Sequence, residues 1–194
     1  MVSNPNNILP YLSRPISLII ICSIFYIFSL PPFGVSVFYY LSLSIIFYNI
    51  LTNNNFSKKK IFYFFLLTQI ITLSWITQSF YSGGIGYLFL GIILVGALSV
   101  FIALLLYSAT ILILVTFKKK LLQIFLLPLG LSIVEILKEF IFGGFPWNPA
   151  AIIYYKNIWI LKTIPFLGVY GLGLVVHLIV GFIIYFLYFK NKAV

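Results

Sequence analysis

The feature that most constrains this chain is a repeated one. Six apolar runs, over residues 15–30, 35–51, 61–81, 85–117, 121–142 and 165–189, are cut apart by lysine triplets or by proline and glycine turns. A run of about 17 to 25 apolar residues crosses the hydrocarbon core of a bilayer as a helix, because lipid offers no partner to an unpaired backbone group. The second run, 35–51, stands near the lower limit of that length. The fold class that follows is all-α: a polytopic membrane protein whose 15–189 region is a bundle of six transmembrane helices, with short tails at 1–14 and 190–194. Composition agrees, since 63% of residues are apolar and only 7% charged, against roughly half and a quarter in soluble domains.

The connections set the topology. The run at 15–30 follows Arg14, a positive flank that a signal peptide also has, but no small-x-small cleavage site follows and further spans come after it. Pro31-Pro32-Phe33-Gly34 stops the helical ladder and reverses the chain, so the first two runs pair as an antiparallel hairpin. The run at 85–117 exceeds one span; either it tilts, or its first turns around Gly86 and Gly91 lie at the interface. Nine of the twelve basic residues, Arg14, Lys58 to Lys60, Lys118 to Lys120, Lys190 and Lys192, fall on one side of this arrangement. Only Lys156 and Lys162 fall in a loop on the other side. The positive-inside rule therefore puts both termini in the cytoplasm, and the Pro31 turn, the Ser82-Gly83-Gly84 turn and segment 143–163 outside.

Several function classes drop out. The net charge of +10 lies in clusters between apolar runs, without a basic aromatic surface, so no nucleic-acid partner is expected. Cys22, the only cysteine, lies within the first run, which excludes an intrachain disulfide and a cysteine metal site. No metal-ligand cluster or nucleotide motif is present, and no cofactor is expected.

What is not simply apolar gathers at Glu135-Ile-Leu-Lys138-Glu139, followed by Gly143-Gly144-Phe145-Pro146-Trp147. Both acidic residues of the protein are here. Glu135, Lys138 and Glu139, three and four residues apart, share one helix face near the outer end of the fifth run. Ionisable groups at that depth avoid lipid, so they mark a polar site within the bundle or at a cavity mouth, or else a structural brace in which Lys138 neutralises a carboxylate. Gly143-Gly144 ends the helix, Pro146 directs the exit, and Trp147 suits either a binding lip or an aromatic belt, as does Trp75 at the same level. Ser132 and His177 lie at comparable depths in the fifth and sixth runs; such a pair serves either as nucleophile and base in an intramembrane serine protease, or merely as helix-to-helix hydrogen bonding. Ile133 stands where that protease class has a small residue. Gly168-Val-Tyr-Gly171-Leu-Gly173 follows no strand, which favours close helix packing over a phosphate loop.

Glu135-Ile-Leu-Lys138 followed by Gly144-Phe145-Pro146-Trp147 closely resembles the membrane part of bacterial apolipoprotein N-acyltransferases, which carry Glu, two residues, Arg, then Gly-Phe-Pro-Trp at the end of a transmembrane helix. Pro31-Pro32-Phe33, Ser74-Trp75-Ile76 with Gly83-Gly84, and Pro165-Phe-Leu-Gly168-Val-Tyr-Gly171 extend the resemblance over essentially the whole chain. The resemblance implies transfer of an acyl chain from a phospholipid donor to the N-terminal diacylglyceryl-cysteine of a lipoprotein, at the outer, periplasmic face of the bacterial inner membrane. It also implies that chemistry runs through a cysteine thioester, with a glutamate and a lysine, in a nitrilase-like domain that follows the helices. The sequence ends before such a domain, so the expectation is a split or truncated form that is inactive alone, partnered by a separately encoded nitrilase-like chain. No catalytic residue is then expected here. Glu135, Lys138, Glu139, Gly144, Phe145, Pro146, Trp147 and Trp75 are expected to line the lipid groove. Lys138 replaces the family's arginine and loses its bidentate fork. The alternatives are the serine protease and a non-catalytic scaffold or gene remnant.

Overall fold

The computed structural model describes residues 15–53, 56–144 and 148–190; the 1–14 tail and residues 191–194 lie outside the described residues. Helix α1 (Pro15–Ser29) and helix α2 (Ser36–Thr52) form the hairpin expected around the Pro31–Gly34 turn. Helix α3 (Lys58–Leu73) tightens into a 3-10 turn (Ser74–Ile76) and a short α4 (Thr77–Tyr81), where the sequence suggests one helix over 61–81. Helix α5 (Ile85–Thr116) returns antiparallel to them, and helix α6 (Lys120–Ile141) follows. A second 3-10 turn (Ala150–Tyr154) and a one-turn helix α7 (Ile158–Leu161) lead to α8 (Ile164–Lys190). Among the described residues there is no strand.

The chain is an all-α polytopic membrane protein. Four helical stretches, Lys58–Tyr81, Ile85–Thr116, Lys120–Ile141 and Ile164–Lys190, are long and apolar enough to cross a membrane, and α1 and α2 are shorter apolar helices. Large apolar side chains such as Ile93, Leu112, Phe140 and Phe186 remain exposed, the surface that a bilayer rather than water would cover. Helix α5 is one unbroken helix of 32 residues, roughly 48 Å long at 1.5 Å per residue. That exceeds a hydrocarbon core of about 30 Å.

The helices pack through narrow stripes. In α5 the buried positions Gly91, Val95, Ser99, Ile102, Ala103, Leu106 and Thr110 recur at three- and four-residue steps, and the small ones among them, Gly91, Ser99 and Ala103, let α3 and α4 approach closely. Buried hydroxyls are satisfied within their own helix: Ser99 Oγ donates to the Val95 carbonyl and Thr110 Oγ1 to that of Leu106, both at 2.8 Å. Such back-bonding removes the cost of an unpaired hydroxyl in an apolar interior. Helix α6 packs on both α5 and α8 and presents Ile124, Leu127, Leu131 and Val134 together with Ser132, Glu135 and Lys138 to the interior. Both apolar cohesion and the polar site thus depend on its one inward face.

The two ends of the bundle differ in charge. Lys120 Nζ donates to the Leu51 carbonyl at the C-terminal end of α2, beside the Lys58–Lys60 and Lys118–Lys120 triplets. At the opposite end of α2 the Leu30–Val35 turn meets the segment that follows α6. There the Tyr155 hydroxyl donates to the Pro32 carbonyl at 2.6 Å, Lys156 Nζ to that of Phe33 at 2.7 Å, and the Tyr40 and Tyr154 hydroxyls bond each other.

Candidate functional site at the turn end of the bundle

At this end the structure builds two adjoining spaces of opposite character. The first is a groove of about 400 Å³ between the α1–α2 turn (Ile27, Leu30, Pro31, Pro32, Phe33), the end of α3 (Ile71, Thr72, Trp75), Asn148 and Ile152. Apart from Thr72 and Asn148 its side chains are apolar. The second is a cavity of about 20 Å³ lined by Tyr26, Tyr39, Thr68, Gln69, Glu135, Lys138 and Asn148 with Leu43, Phe65, Leu106 and Leu131. Asn148 borders both, and is held in a left-handed conformation at φ 44°, one that asparagine tolerates better than most residues.

The volumes separate their uses. Ligand sites run from about 300 to 1,000 Å³, whereas a single water needs roughly 10–15 Å³ of accessible space. The groove admits part of a lipid chain; the polar cavity admits one water and no headgroup.

Glu135 is 8% exposed. Its Oε1 accepts the Ala150 N–H at 2.9 Å, so this side chain of α6 fastens the start of the second 3-10 turn to the bundle. Its Oε2 has no hydrogen-bond partner among the described residues. A Cβ at Gly173 would stand 3.2 Å from Oε2, so the glycine of α8 makes room for the carboxylate. Lys138, 5% exposed, faces the same small cavity. An acid and a base around one small buried space stabilise each other's charged forms far more than they would in water, and offset part of the desolvation cost each bears.

The expected site residues divide. Glu135 and Lys138 meet at the polar cavity, and Trp75, 60% exposed, lines the groove. Glu139 is half-buried and lines neither space; its carbonyl accepts the Gly144 N–H at 2.8 Å. Gly144, at φ 93° with open space around it, turns the chain out of α6. Phe145, Pro146 and Trp147 lie outside the described residues. Tyr26, Tyr39, Thr68, Gln69 and Asn148 complete the cavity without having been singled out. Gln69 is an amide inside an apolar run, a usable signal; Tyr26 and Tyr39 are indistinguishable from the other tyrosines among 14.

Ser132 and His177 are brought together. Ser132 Oγ and His177 Nδ1 are 2.6 Å apart, and the Tyr39 hydroxyl is 2.8 Å from Nε2. A neutral imidazole has one N–H and one lone-pair nitrogen, so one hydroxyl donates to the ring and the other accepts. The chain of bonds ties α2, α6 and α8 at one level. His177 is 0% exposed and Ser132 5%, and neither lines the groove or the polar cavity. The expected glycine packing at 168–173 holds at Gly173 but not at Gly168, which has φ 70° and ψ 169° and breaks α8. Among the described residues no group of three metal-binding side chains occurs.

A sequence model of the apolipoprotein N-acyltransferase N-terminal domain matches residues 22–182, a stretch that contains the groove, the polar cavity and the Ser132–His177–Tyr39 chain. No curated protein matches.

Proposed function

We propose a function from one premise: the chain belongs to the apolipoprotein N-acyltransferase family, as its N-terminal membrane domain. On this reading the groove at the turn end receives an acyl chain of the phospholipid donor or of the diacylglyceryl lipoprotein. The adjoining Glu135–Lys138 pair holds the wall beside it in place. The carrying observation is the 400 Å³ groove, of ligand size and apolar lining, set at the end of the bundle away from the lysine triplets. By the positive-inside rule that end faces the periplasm of a bacterial inner membrane.

The division of labour follows from the thiol. Cys22, the only cysteine in the sequence, is 0% exposed inside α1, and its carbonyl accepts the Ser42 hydroxyl. A thioester needs a thiolate that substrate can reach, so Cys22 carries no acyl group. The acylating cysteine, with its glutamate and lysine, is then supplied by a nitrilase-like unit outside these 194 residues, and this segment positions lipid for it. The test is acyl transfer by the purified chain with a phospholipid donor and a diacylglyceryl peptide. We expect no turnover for these residues alone and turnover when a nitrilase-like chain of the family is added. Robust turnover without it overturns the reading.

One observation favours a second reading: the Ser132–His177 hydrogen bond resembles the nucleophile and base of an intramembrane serine protease. Ser132→Ala and His177→Ala would then each have to abolish cleavage of a helical substrate. Because neither residue reaches the groove or the cavity, we expect the unsubstituted protein to leave such a substrate intact.

A further inference from the structure

We propose that residues 157–167 form a foot that lies in the headgroup layer and binds anionic phospholipid through Lys162. The foot is apart from the groove and does not depend on the acyltransferase reading. It is built as a self-contained unit. Asn157 Oδ1 accepts the N–H groups of Trp159 and Ile160 and so caps α7. The Lys162, Thr163, Phe166 and Leu167 N–H groups are all taken up by carbonyls between Ile158 and Thr163. A segment that satisfies its own backbone can lie where water is scarce. Gly168 then breaks the helix, with φ 70° and ψ 169°, and separates the foot from the long part of α8.

The side chains have the pattern of the interface. No residue of α7 is buried; Trp159 is 75%, Ile158 61% and Phe166 90% exposed. Lys162 Nζ stands 4.6 Å over the Trp159 ring, which places a cation beside the amphipathic indole favoured at headgroup level. Lys156, next to the foot, is already spent on the Phe33 carbonyl, so Lys162 is the cation set outward with the apolar residues. Within the foot the charge has one sign: Lys162 is the charged residue of 157–167, and the two acidic side chains of the sequence, Glu135 and Glu139, lie on α6. An apolar, aromatic, positively charged surface complements an anionic bilayer better than it complements a soluble domain.

The test uses the full chain with Trp75→Phe and Trp147→Phe, which leaves Trp159 as the sole tryptophan. It is reconstituted in vesicles of phosphatidylcholine with or without phosphatidylglycerol. We expect brominated lipid to quench Trp159 more strongly than iodide in the water. We also expect phosphatidylglycerol to shift its emission to the blue, and Lys162→Gln to remove most of that shift. Preferential quenching by iodide overturns the proposal, as does shielding from both quenchers, the sign of a protein partner on this face. Lipid quenching with an emission that neither phosphatidylglycerol nor Lys162→Gln alters also overturns it. A circular dichroism spectrum unchanged by each substitution establishes that the bundle has folded.

Discussion

At the scale of single residues, Glu135 is the side chain with most at stake. It fastens Ala150 to α6 through a buried bond of 2.9 Å, and Gly173 clears space for it. Glu135→Ala leaves the Ala150 N–H without an acceptor, which costs about 1–3 kcal/mol, whereas Glu135→Gln keeps a carbonyl oxygen and most of the stability. Gly173→Ala sets a methyl 3.2 Å from Oε2, so the gain of about 1 kcal/mol that alanine ordinarily brings to a helix over glycine should be cut or reversed, as read from the unfolding temperature in detergent. In the Glu135→Ala background the same substitution should be clearly more favourable, because the atom it approaches is gone; strict additivity would refute the contact. Ser132→Ala removes one bond of the His177 chain, and hydrogen bonds between membrane helices average about 0.6 kcal/mol with a maximum near 1.7. A loss in that range, measured by unfolding in detergent, identifies the Ser132–His177–Tyr39 chain as a helix tie.

At the scale of elements, Gly168 decides the shape of the last helix. Its φ of 70° and ψ of 169° belong to a region open essentially to glycine alone, and a side chain there costs about 1–3 kcal/mol. Gly168→Ala should therefore either destabilise the protein by that amount or let α8 straighten through the foot. A spin-label distance between position 159 and the lysine end of α8 distinguishes the two, with straightening read as a longer distance. The segment after α6 depends on side chains rather than on its own length. Glu135, Tyr154, Tyr155 and Lys156 pin it to α6, α2 and the α1–α2 turn. Its turns are short, and the second 3-10 turn buries only Ala150, Ala151 and Ile153. Apolar periodicity is weak over such lengths, which is why the sequence indicates an interfacial stretch there but neither its turns nor its latches.

At the scale of the whole molecule, the arrangement of charge carries the topology. We propose that the lysine triplets lie in the cytoplasm, that all six apolar runs cross and that the turn end faces outward. In a Cys22→Ala background, a cysteine at Ser57 should react with a membrane-impermeant thiol reagent only after the membrane is opened. A cysteine at Ser82 should react in intact spheroplasts. The reverse pattern, or equal labelling at both, would exclude the six-span arrangement with cytoplasmic termini. The same end-to-end asymmetry sets the groove, the polar cavity and the foot together at the end away from the triplets, and with it where a lipid-handling site can operate.

The sequence by itself determined the all-α membrane class, the hairpin at Pro31, the location of the only carboxylates and the family. Each of these rests on run length, composition or a contiguous motif, properties that survive without knowing which helices touch. Tertiary structure alone decided that Glu135 reaches Ala150, that Gly173 makes way for it, and that His177 joins Ser132 to Tyr39 across separations of 45 and 138 residues. It also decided that an apolar groove adjoins the charged pair, at Asn148. The physical reason is the uniformity of the solvent: nearly every residue in lipid is apolar, so pattern records how long a helix is but little of which face meets which neighbour. That choice falls to the shape of small residues and to a few polar groups that must find partners, and the partners lie far away in the chain.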